Sequence, residues 1–465
     1  MTFMKIKIYN TLTKEKEEFT PLEKGKVKIY SCGPTVYNYP HIGNLRSYVF
    51  ADILKKTFKL NNYEVNHVIN ITDVGHLTSD EDEGEDKLVK GAKRENKTVW
   101  DIAKFYEEAF YEDLKKLNIE PANHYPKATE HIQEMIELIK KIQTNGYVYE
   151  AEGNIYFDTE KFEEYGKLTG RKQKQEETQS RVEIDKHKKN NSDFVLWFTR
   201  HKYENHEMEW ESPWGKGFPG WHIECSAMSC KYLGEKFDIH TGGIDHVPIH
   251  HTNEIAQSEA AFGHEWVTYW MHNEFLVMSE GEKMSKSKDG FLTLQVLIDK
   301  GYKPEEYRYF LLGTHYRKKI MYSKEAMDTA KNSLQKLKNK IREIKKAEKK
   351  EIQKEKYEEQ LTKFKENLND DLNTAKALAT TWEMLEEDIN ETTKLALIEK
   401  FDEVLGLKLI EKEQKIPEDI LKIQEERDAT RKNKNWKKSD ELRDLLKQKG
   451  YKVLDSKEGS EIIKE

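Results

Sequence analysis

The chain has 465 residues, of which 36% are hydrophobic and 35% are charged, and its formal net charge is −7 at pH 7. This length predicts roughly two to four domains, and no run of about 18 apolar residues is present to form a transmembrane helix. Residues 1–7 lack the apolar stretch of a signal peptide, so we expect a cytoplasmic protein. The net charge excludes a surface that is basic throughout, although a local basic face could still bind nucleic acid.

The first 75 residues predict the beginning of a parallel α/β sheet. Residues 27–32 are typical of a strand, a helix is expected after His41-Ile42-Gly43, and residues 64–71 are typical of a second strand. In such sheets ligands bind at the carboxyl ends of the strands, which is where Cys32 and Thr72 fall.

Composition and periodicity divide the rest of the chain. The α/β pattern is interrupted by an irregular insertion at about 120–200, returns at 220–243, and gives way beyond residue 320 to helical patterns rich in lysine and glutamate. We therefore predict an α/β domain over 1–320, an α-helical bundle over 321–412 and a small C-terminal domain over 413–465.

Two distant segments are suited to binding phosphate. His41, Gly43 and Asn44 stand at a predicted helix start, where unpaired N–H groups and the helix dipole attract anions. Taken alone, this segment is more often an ordinary helix start.

The second segment is Lys283-Met284-Ser285-Lys286-Ser287, which on its own is more often a solvated loop. A lysine here could neutralise charge on a departing pyrophosphate, and Lys286 is favoured over Lys283 because both serines flank it. Together the two segments indicate a nucleotide site assembled from distant parts of the chain.

The three cysteines are too few for a disulfide framework, which leaves metal binding or simple burial. His250 and Glu254 would share one face of a helix, and Cys32 and Cys225 could complete a zinc site of mixed sulfur, nitrogen and oxygen ligands. His251, His246 and Cys230 are competing ligands that residue chemistry alone does not eliminate. Buried unreactive cysteines and solvated histidines are the alternative.

The segment 423–451 is strongly helical and basic, and Trp436 within it could stack on a nucleic-acid base. A solvated amphipathic helix with a partly buried Trp436 is an equally good interpretation.

The two phosphate segments resemble the signatures of the class I aminoacyl-tRNA synthetases, which are a His-Ile-Gly-His tetrapeptide and a Lys-Met-Ser-Lys-Ser loop. Within that class the chain is similar to the cysteinyl-tRNA synthetase family over nearly its whole length. The motifs that carry the similarity are Cys32-Gly33-Pro34-Thr35-Val36-Tyr37, Asn70-Ile71-Thr72-Asp73, Asp193-Phe194-Val195-Leu196-Trp197, Gly220-Trp221-His222-Ile223-Glu224-Cys225-Ser226-Ala227-Met228, Phe237-Asp238-Ile239-His240 and Asn253-Glu254-Ile255-Ala256-Gln257-Ser258.

The resemblance implies an α/β fold with a Rossmann-like parallel-sheet catalytic domain, a helical bundle and a C-terminal domain that recognises an anticodon. It implies an enzyme that activates L-cysteine with ATP and magnesium and transfers it to tRNA(Cys), with one zinc ion per chain. The implied site residues are His41 and Lys286 for catalysis, Pro34, His41, Gly43, Asn44, Lys283, Ser285, Lys286 and Ser287 for ATP, Thr72, Trp221 and Asp245 for the amino acid, Cys32, Cys225, His250 and Glu254 for the metal, and Arg431, Trp436 and Asp440 for tRNA. We expect a monomer with no membrane partner.

The chain departs from the family pattern in places. Asn44 replaces the second histidine of the tetrapeptide, residues 241–245 differ from the commoner triple glycine, and Thr252 replaces an acidic residue. We assign no phosphate role to the acidic run 79–86, which we expect to be a solvated loop. The rival interpretations are a ligase that joins activated cysteine to an amino sugar, which would lack the C-terminal basic segment, and a zinc-dependent nucleic-acid-binding protein without catalysis.

Overall fold

The computed structural model describes residues 4–74, 97–170, 187–200, 208–278, 292–410, 417–455 and 460–464. The described strands are β1 (Lys7–Asn10), β2 (Glu15–Glu18), β3 (Lys26–Ser31), β4 (Glu64–Ile69), β5 (Val148–Ala151), β6 (Asn154–Phe157), β7 (Phe194–Phe198), β8 (Phe218–Pro219), β9 (Phe237–Gly243), β10 (Val267–Asn273), β11 (Leu276–Met278), β12 (Ile320–Tyr322), β13 (Tyr451–Asp455) and β14 (Ser460–Lys464).

The described α-helices are α1 (Ile42–Leu60), α2 (Val99–Lys116), α3 (Ile132–Thr144), α4 (His222–Leu233), α5 (His250–Phe262), α6 (Leu294–Asp299), α7 (Pro304–Leu312), α8 (Lys324–Lys345), α9 (Lys354–Asn369), α10 (Thr374–Glu386), α11 (Glu391–Leu405), α12 (Glu418–Lys432) and α13 (Trp436–Gln448). The chain divides into two compact units, Met1–Ile410 and Glu411–Glu465.

The centre of the first unit is a four-stranded sheet in the order β10-β9-β3-β4, and all of its pairings are parallel. Strand β9 is buried along almost its whole length, as expected for a parallel sheet that is covered on both faces. Helix α1 connects β3 to β4, so the predicted strand–helix–strand succession is confirmed. The strands end at Ser31 and Ile69, slightly earlier than predicted, and Cys32 and Thr72 therefore lie just beyond the carboxyl ends of the strands.

Between α3 and α4 the chain forms a separate antiparallel sheet in the order β5-β6-β7-β8. This sheet occupies much of the stretch that was predicted as an insertion. The polar part of that stretch, residues 171–186, lies outside the described residues, as does the acidic run 79–86.

Helices α8–α11 follow the sheet. The apolar seam of α8 is buried through Met327, Leu334, Leu337 and Ile341, as the periodicity predicts. The three-part domain division made from the sequence stays a prediction.

A buried arginine connects α11 to α1, the helix that joins β3 and β4. The guanidinium of Arg308 on α7 pairs with Asp52 on α1 at 2.5 Å and donates to the carbonyl of Leu405 at the end of α11 at 2.6 Å. Gly406 ends α11 in the left-handed conformation, with φ +65°, and a Cβ there would lie 2.8 Å from the Arg308 guanidinium carbon. A glycine is therefore required for both the turn and the contact.

The second unit consists of α12, α13 and the antiparallel pair β13–β14. Its core is small and contains Ile420, Leu446, Tyr451 and Ile462.

Candidate active site

The start of α1 is shaped by His41 and Asn44. His41 is the N-cap residue: its ring Nδ1 accepts the backbone N–H of Asn44 at 3.0 Å, while the Asn44 side-chain oxygen accepts the backbone N–H of His41 at 3.2 Å. This reciprocal pair is a capping box. Burial lowers the pKa of His41, and Asp245 acts in the opposite direction. A neutral ring whose Nδ1 accepts must carry its proton on Nε2, so His41 presents a hydrogen-bond donor.

Described residues on either side of the second phosphate segment contact the first turns of α1 or the His41 cap. Lys283, Ser285, Lys286 and Ser287 belong to residues 279–291, which lie outside the described residues. The described chain resumes at Leu292, whose carbonyl accepts the backbone N–H of Ile42 at 2.9 Å, and Thr293 forms an antiparallel bridge with His41.

Arg46, on the first turns of α1, holds the chain on the other side of that segment. Arg46 is 4% exposed, and its guanidinium donates to five backbone carbonyls. The acceptors are Glu274 at 2.6 Å, Phe275 at 2.6 Å, His315 at 3.4 Å, Tyr316 at 3.1 Å and Lys318 at 2.6 Å. These carbonyls flank β11 and β12, and β11 leads directly into residues 279–291. The sequence analysis did not identify Arg46, because the residues next to it in the sequence do not indicate that its guanidinium donates to backbone carbonyls.

Four side chains that could hold a metal ion come together at the carboxyl end of β3. One ligand atom each from Cys32, Cys225, His250 and Glu254 lies within 4.8 Å of the others. Cys32 follows β3, Cys225 lies on α4, and His250 and Glu254 occupy adjacent turns of α5, with 2.9 Å between the His250 Nε2 and a Glu254 oxygen. The donors are two thiols, one imidazole and one carboxylate, and this set suits zinc.

The competing ligands predicted from the sequence take different positions. His251 lies 3.1 Å from the Cys32 sulfur and belongs to an overlapping group with Cys32, His240 and Glu254. His246 also contacts Cys32, but neither group of described residues includes it. Cys230 lies further along α4 and belongs to neither group.

A second layer of histidines orients the ligand side chains. The His240 ring nitrogen Nε2 lies 2.7 Å from Glu254 Oε2, and the His222 Nδ1 lies 2.8 Å from the His250 Nδ1. Such partners fix the orientation of metal ligands. Burial alone would raise the pKa of Glu254, but His240 and His250 lower it to about 2.

The two thiols are unequal. Burial acts to raise the pKa of the Cys32 thiol, yet the hydrogen bond with Cys225 and the nearby His251 hold that pKa well below its usual range. Burial raises the pKa of the Cys225 thiol. The Cys32 thiol and the Glu254 carboxyl therefore favour their ionised forms, which are the forms that coordinate a metal ion.

Beside the metal-ligand group lies a hydrogen-bonded cluster formed by Thr72, Asn70, Glu224 and Gly33. The Thr72 hydroxyl donates to Glu224 Oε1 at 2.5 Å, and the Asn70 amide donates to the same oxygen at 3.2 Å. The Asn70 side-chain oxygen accepts the backbone N–H of Gly33 at 2.7 Å. A Cβ at Gly33 would lie 1.6 Å from the Asn70 carbonyl oxygen, so no larger residue fits there.

Pro34, Trp221 and Asp245 are further described residues that were predicted for the nucleotide or the amino acid. The carbonyl of Pro34 accepts the backbone N–H of Thr72 at 3.0 Å. Trp221 is buried and precedes α4, whereas Asp245 is exposed in the turn before α5. Burial raises the pKa of Glu224 to about 8, opposed by Thr72 and His250. The sequence places Glu224 within a family motif but does not show what its side chain contacts.

In the second unit, the three residues predicted to bind tRNA lie on α12 and α13. Trp436 is the first residue of α13 and is 58% exposed, and Asp440 is exposed one turn later. Arg431 on α12 pairs with Asp455, which also accepts two bonds from Arg427, at 2.9 and 3.0 Å. Trp436 is therefore available for stacking, while the guanidinium of Arg431 is engaged within the unit.

Among the described residues, no helix combines the length and the apolar character needed to cross a membrane.

Comparison with protein families gives a match to the tRNA synthetases class I (C) catalytic domain over residues 18–332. The methionyl-tRNA synthetase of Mycobacterium tuberculosis, solved in complex with methionyl-adenylate, has a similar fold, with a TM-score of 0.57 at 14% identity over 82% of this chain and 90% of that chain. The fold and the matched domain define a class I tRNA synthetase.

Curated relatives identify the family within that class. The cysteine–tRNA ligase of Treponema denticola is 49% identical, covering 98% of this chain and 99% of that protein. Cysteine–tRNA ligase 1 of Burkholderia lata is 42% identical over 99% and 97%, and the cysteine–tRNA ligase of Borrelia hermsii is 41% identical over 99% and 99%. The chain belongs to the cysteine–tRNA ligase family, as the sequence motifs predicted.

Proposed function

We propose that the protein activates L-cysteine with ATP, giving cysteinyl-adenylate and pyrophosphate, and transfers the cysteine to tRNA(Cys). We also propose that one zinc ion, held by Cys32, Cys225, His250 and Glu254, selects the cysteine thiol. The observation that carries the zinc proposal is the convergence of four buried or partly buried donors of the types zinc prefers, within 4.8 Å of one another.

Bound zinc would accept the substrate's sulfur as a thiolate, whereas the hydroxyl of serine is a much poorer ligand. A site that depends on a bond the wrong substrate does not make discriminates without a separate editing reaction. The residues around the ligands support this selection, because His240 and His222 hold Glu254 and His250 in position.

The ATP site is proposed to lie at the start of α1. His41 would donate its Nε2–H to the triphosphate, the dipole of α1 would add partial positive charge at the helix start, and magnesium would accompany the nucleotide. Lys286, with Lys283, Ser285 and Ser287, would stabilise charge on the departing pyrophosphate. Support comes from the hydrogen bond and the bridge that bring residues 292–293, just after this segment, against His41 and Ile42.

Recognition of the tRNA is proposed to involve Arg431, Trp436 and Asp440 in the second unit. Trp436 is supported by its exposure, and aromatic rings are stacking surfaces for unpaired bases. We further propose that the enzyme works as a cytoplasmic monomer.

The deciding experiment compares the wild-type protein with Cys225→Ser. We expect cysteine-dependent exchange of pyrophosphate into ATP, charging of tRNA(Cys), and one zinc per chain that the variant loses. Transfer of cysteine to an amino sugar instead of tRNA would contradict the transfer step, and absence of zinc from active wild-type protein would contradict the proposed selection of the thiol.

A further inference from the structure

One side-chain oxygen of Glu224 is buried and unpaired within the part of the chain that the structure describes. Glu224 lies on α4 between Trp221 and Cys225 and is 3% exposed. Its Oε1 accepts hydrogen bonds from Thr72 and Asn70, while its Oε2 is buried and has no hydrogen-bond partner among the described residues. A buried carboxyl oxygen without a hydrogen-bond partner is costly, so this oxygen points to a group that arrives from outside the chain, and a cationic donor would also hold the carboxyl in its ionised form.

The position of Glu224 is tied to both cysteines of the metal-ligand group. It directly precedes Cys225, and through Asn70 it is linked to Gly33, which directly follows Cys32. His250 and Cys32 are among its electrostatic neighbours. In free cysteine, sulfur and nitrogen are separated by two carbon atoms and hence by roughly 3–4 Å. A substrate thiol held at the metal-ligand group therefore brings its α-ammonium among the residues that flank the two cysteines.

Other carboxylates near the group are already engaged or exposed. Asp73 accepts the backbone N–H of Thr129 at 3.0 Å and the Thr129 hydroxyl at 2.6 Å. The two oxygens of Glu254 lie against His240 and His250, and Asp245 is exposed. Glu224 thus differs from these three carboxylates in combining burial with an unused oxygen.

A matching donor lies one helical turn before Glu224. The indole Nε1–H of Trp221 is buried and has no hydrogen-bond partner among the described residues. A zwitterionic amino acid needs an acceptor for its ammonium and a donor for its carboxylate. The side chains of Glu224 and Trp221 supply one unused group of each kind.

We propose that Glu224 Oε2 accepts a hydrogen bond from the α-ammonium of the bound amino acid, so that the pocket recognises an α-amino thiol rather than any thiol. Thr72 and Asn70 fix the carboxylate by occupying its other oxygen. This inference rests on the proposed function, because it needs the substrate thiol to bind beside Cys32 and Cys225.

The test compares the binding of two ligands, one with and one without an ammonium group, to the wild type and to one variant. Binding of cysteine and of 3-mercaptopropionate, which has the thiol and carboxylate but no ammonium, is measured by titration calorimetry on the full-length, metal-loaded wild type and on Glu224→Gln. The variant should bind cysteine about 10- to 100-fold more weakly, as expected for loss of a charge-assisted hydrogen bond, while its affinity for 3-mercaptopropionate changes by less than about threefold. Glu259→Gln serves as the control. Glu259 lies near the end of α5 and pairs with Lys167, so its replacement should leave both affinities unchanged.

Each outcome bears on the proposal. Equal weakening of both ligands would assign Glu224 a purely structural role, and no weakening of cysteine binding would also overturn the inference. Metal content and thermal unfolding report whether the variant is intact. If Glu224→Gln does not fold, Glu224→Asp keeps the charge but withdraws the oxygen, and an unchanged preference for cysteine over 3-mercaptopropionate would overturn the proposal. Wild-type protein that does not bind cysteine would overturn the proposed function itself.

Discussion

Replacing Arg46 with methionine tests whether one buried guanidinium holds the segments that precede β11 and β12 against α1. Methionine keeps an unbranched apolar stem but removes every donor. Burial lowers the pKa of Arg46 to about 10, so the side chain remains charged at neutral pH and its hydrogen bonds are charge-assisted.

The expected loss follows from the bonds themselves. Three of the five carbonyl contacts are 2.6 Å long, and each carbonyl left buried without a donor costs about 1–3 kcal/mol. Since water can enter part of the space, we expect the free energy of unfolding to fall by roughly 3–5 kcal/mol for Arg46→Met. Arg46→Lys keeps a charge but not the planar fork, and should lose about 1–3 kcal/mol.

Urea unfolding followed by tryptophan fluorescence measures this loss. Of the nine tryptophans only Trp436 lies beyond residue 410, so the signal reports mainly on the unit that contains Arg46. Arg200→Met is the control: that side chain is 73% exposed and its pairing with Glu152 should contribute less than about 1 kcal/mol. In pyrophosphate exchange, Arg46→Lys should raise the KM for ATP more than the KM for cysteine. A loss below about 1 kcal/mol for Arg46→Met, with both KM values unchanged, would refute the reasoning.

Three further predictions address other parts of the chain. Burial raises the pKa of Asp113 from 3.8 to about 6, so the folded state holds the proton more tightly; this group's contribution to stability is therefore greatest below about pH 4 and falls by up to roughly 2–3 kcal/mol as the pH rises through 6. Asp113→Asn should remove that dependence in urea unfolding across this range, and parallel pH profiles for the two proteins would contradict it. His41→Asn keeps an N-cap acceptor but loses the Nε2–H donor, so pyrophosphate exchange should fall about 10²- to 10³-fold while the unfolding free energy stays within about 0.5 kcal/mol; retained exchange would exclude the proposed role. Trp436→Ala should raise the KM for tRNA about tenfold and leave pyrophosphate exchange unchanged, and an unchanged KM would remove this residue from the tRNA site.

Sequence reasoning predicted features that are set by local patterns or by motifs. The strand–helix–strand start of the sheet follows from periodicity over a few residues, and the fold class and family follow from motifs that are contiguous in the chain. The choice of Cys32, Cys225, His250 and Glu254 as metal ligands came from a resemblance, since ligand type alone did not eliminate His251, His246 or Cys230. The structure shows why residue chemistry could not decide: His251 is 3.1 Å from the Cys32 sulfur.

Partners that are distant in sequence could not be predicted. The contacts of Arg46 join residues separated by 228 to 272 positions, and Glu224 meets Thr72 across 152 positions. No sequence pattern around an arginine or a glutamate indicates its hydrogen-bond partner, because backbone carbonyls and threonine hydroxyls occur throughout a folded chain. These contacts arise only when the sheet brings the ends of its strands together.

Asn44 shows how a departure from a family motif can preserve local structure. A helix start needs an acceptor for the backbone N–H of the capping residue, and the amide oxygen of Asn44 provides it for His41. The same capping box makes His41 Nδ1 an acceptor and so leaves the ring proton on Nε2. The substitution is therefore compatible with the orientation and the tautomer that the proposed ATP contact of His41 requires, because both depend on the backbone geometry of the helix start rather than on a second histidine ring.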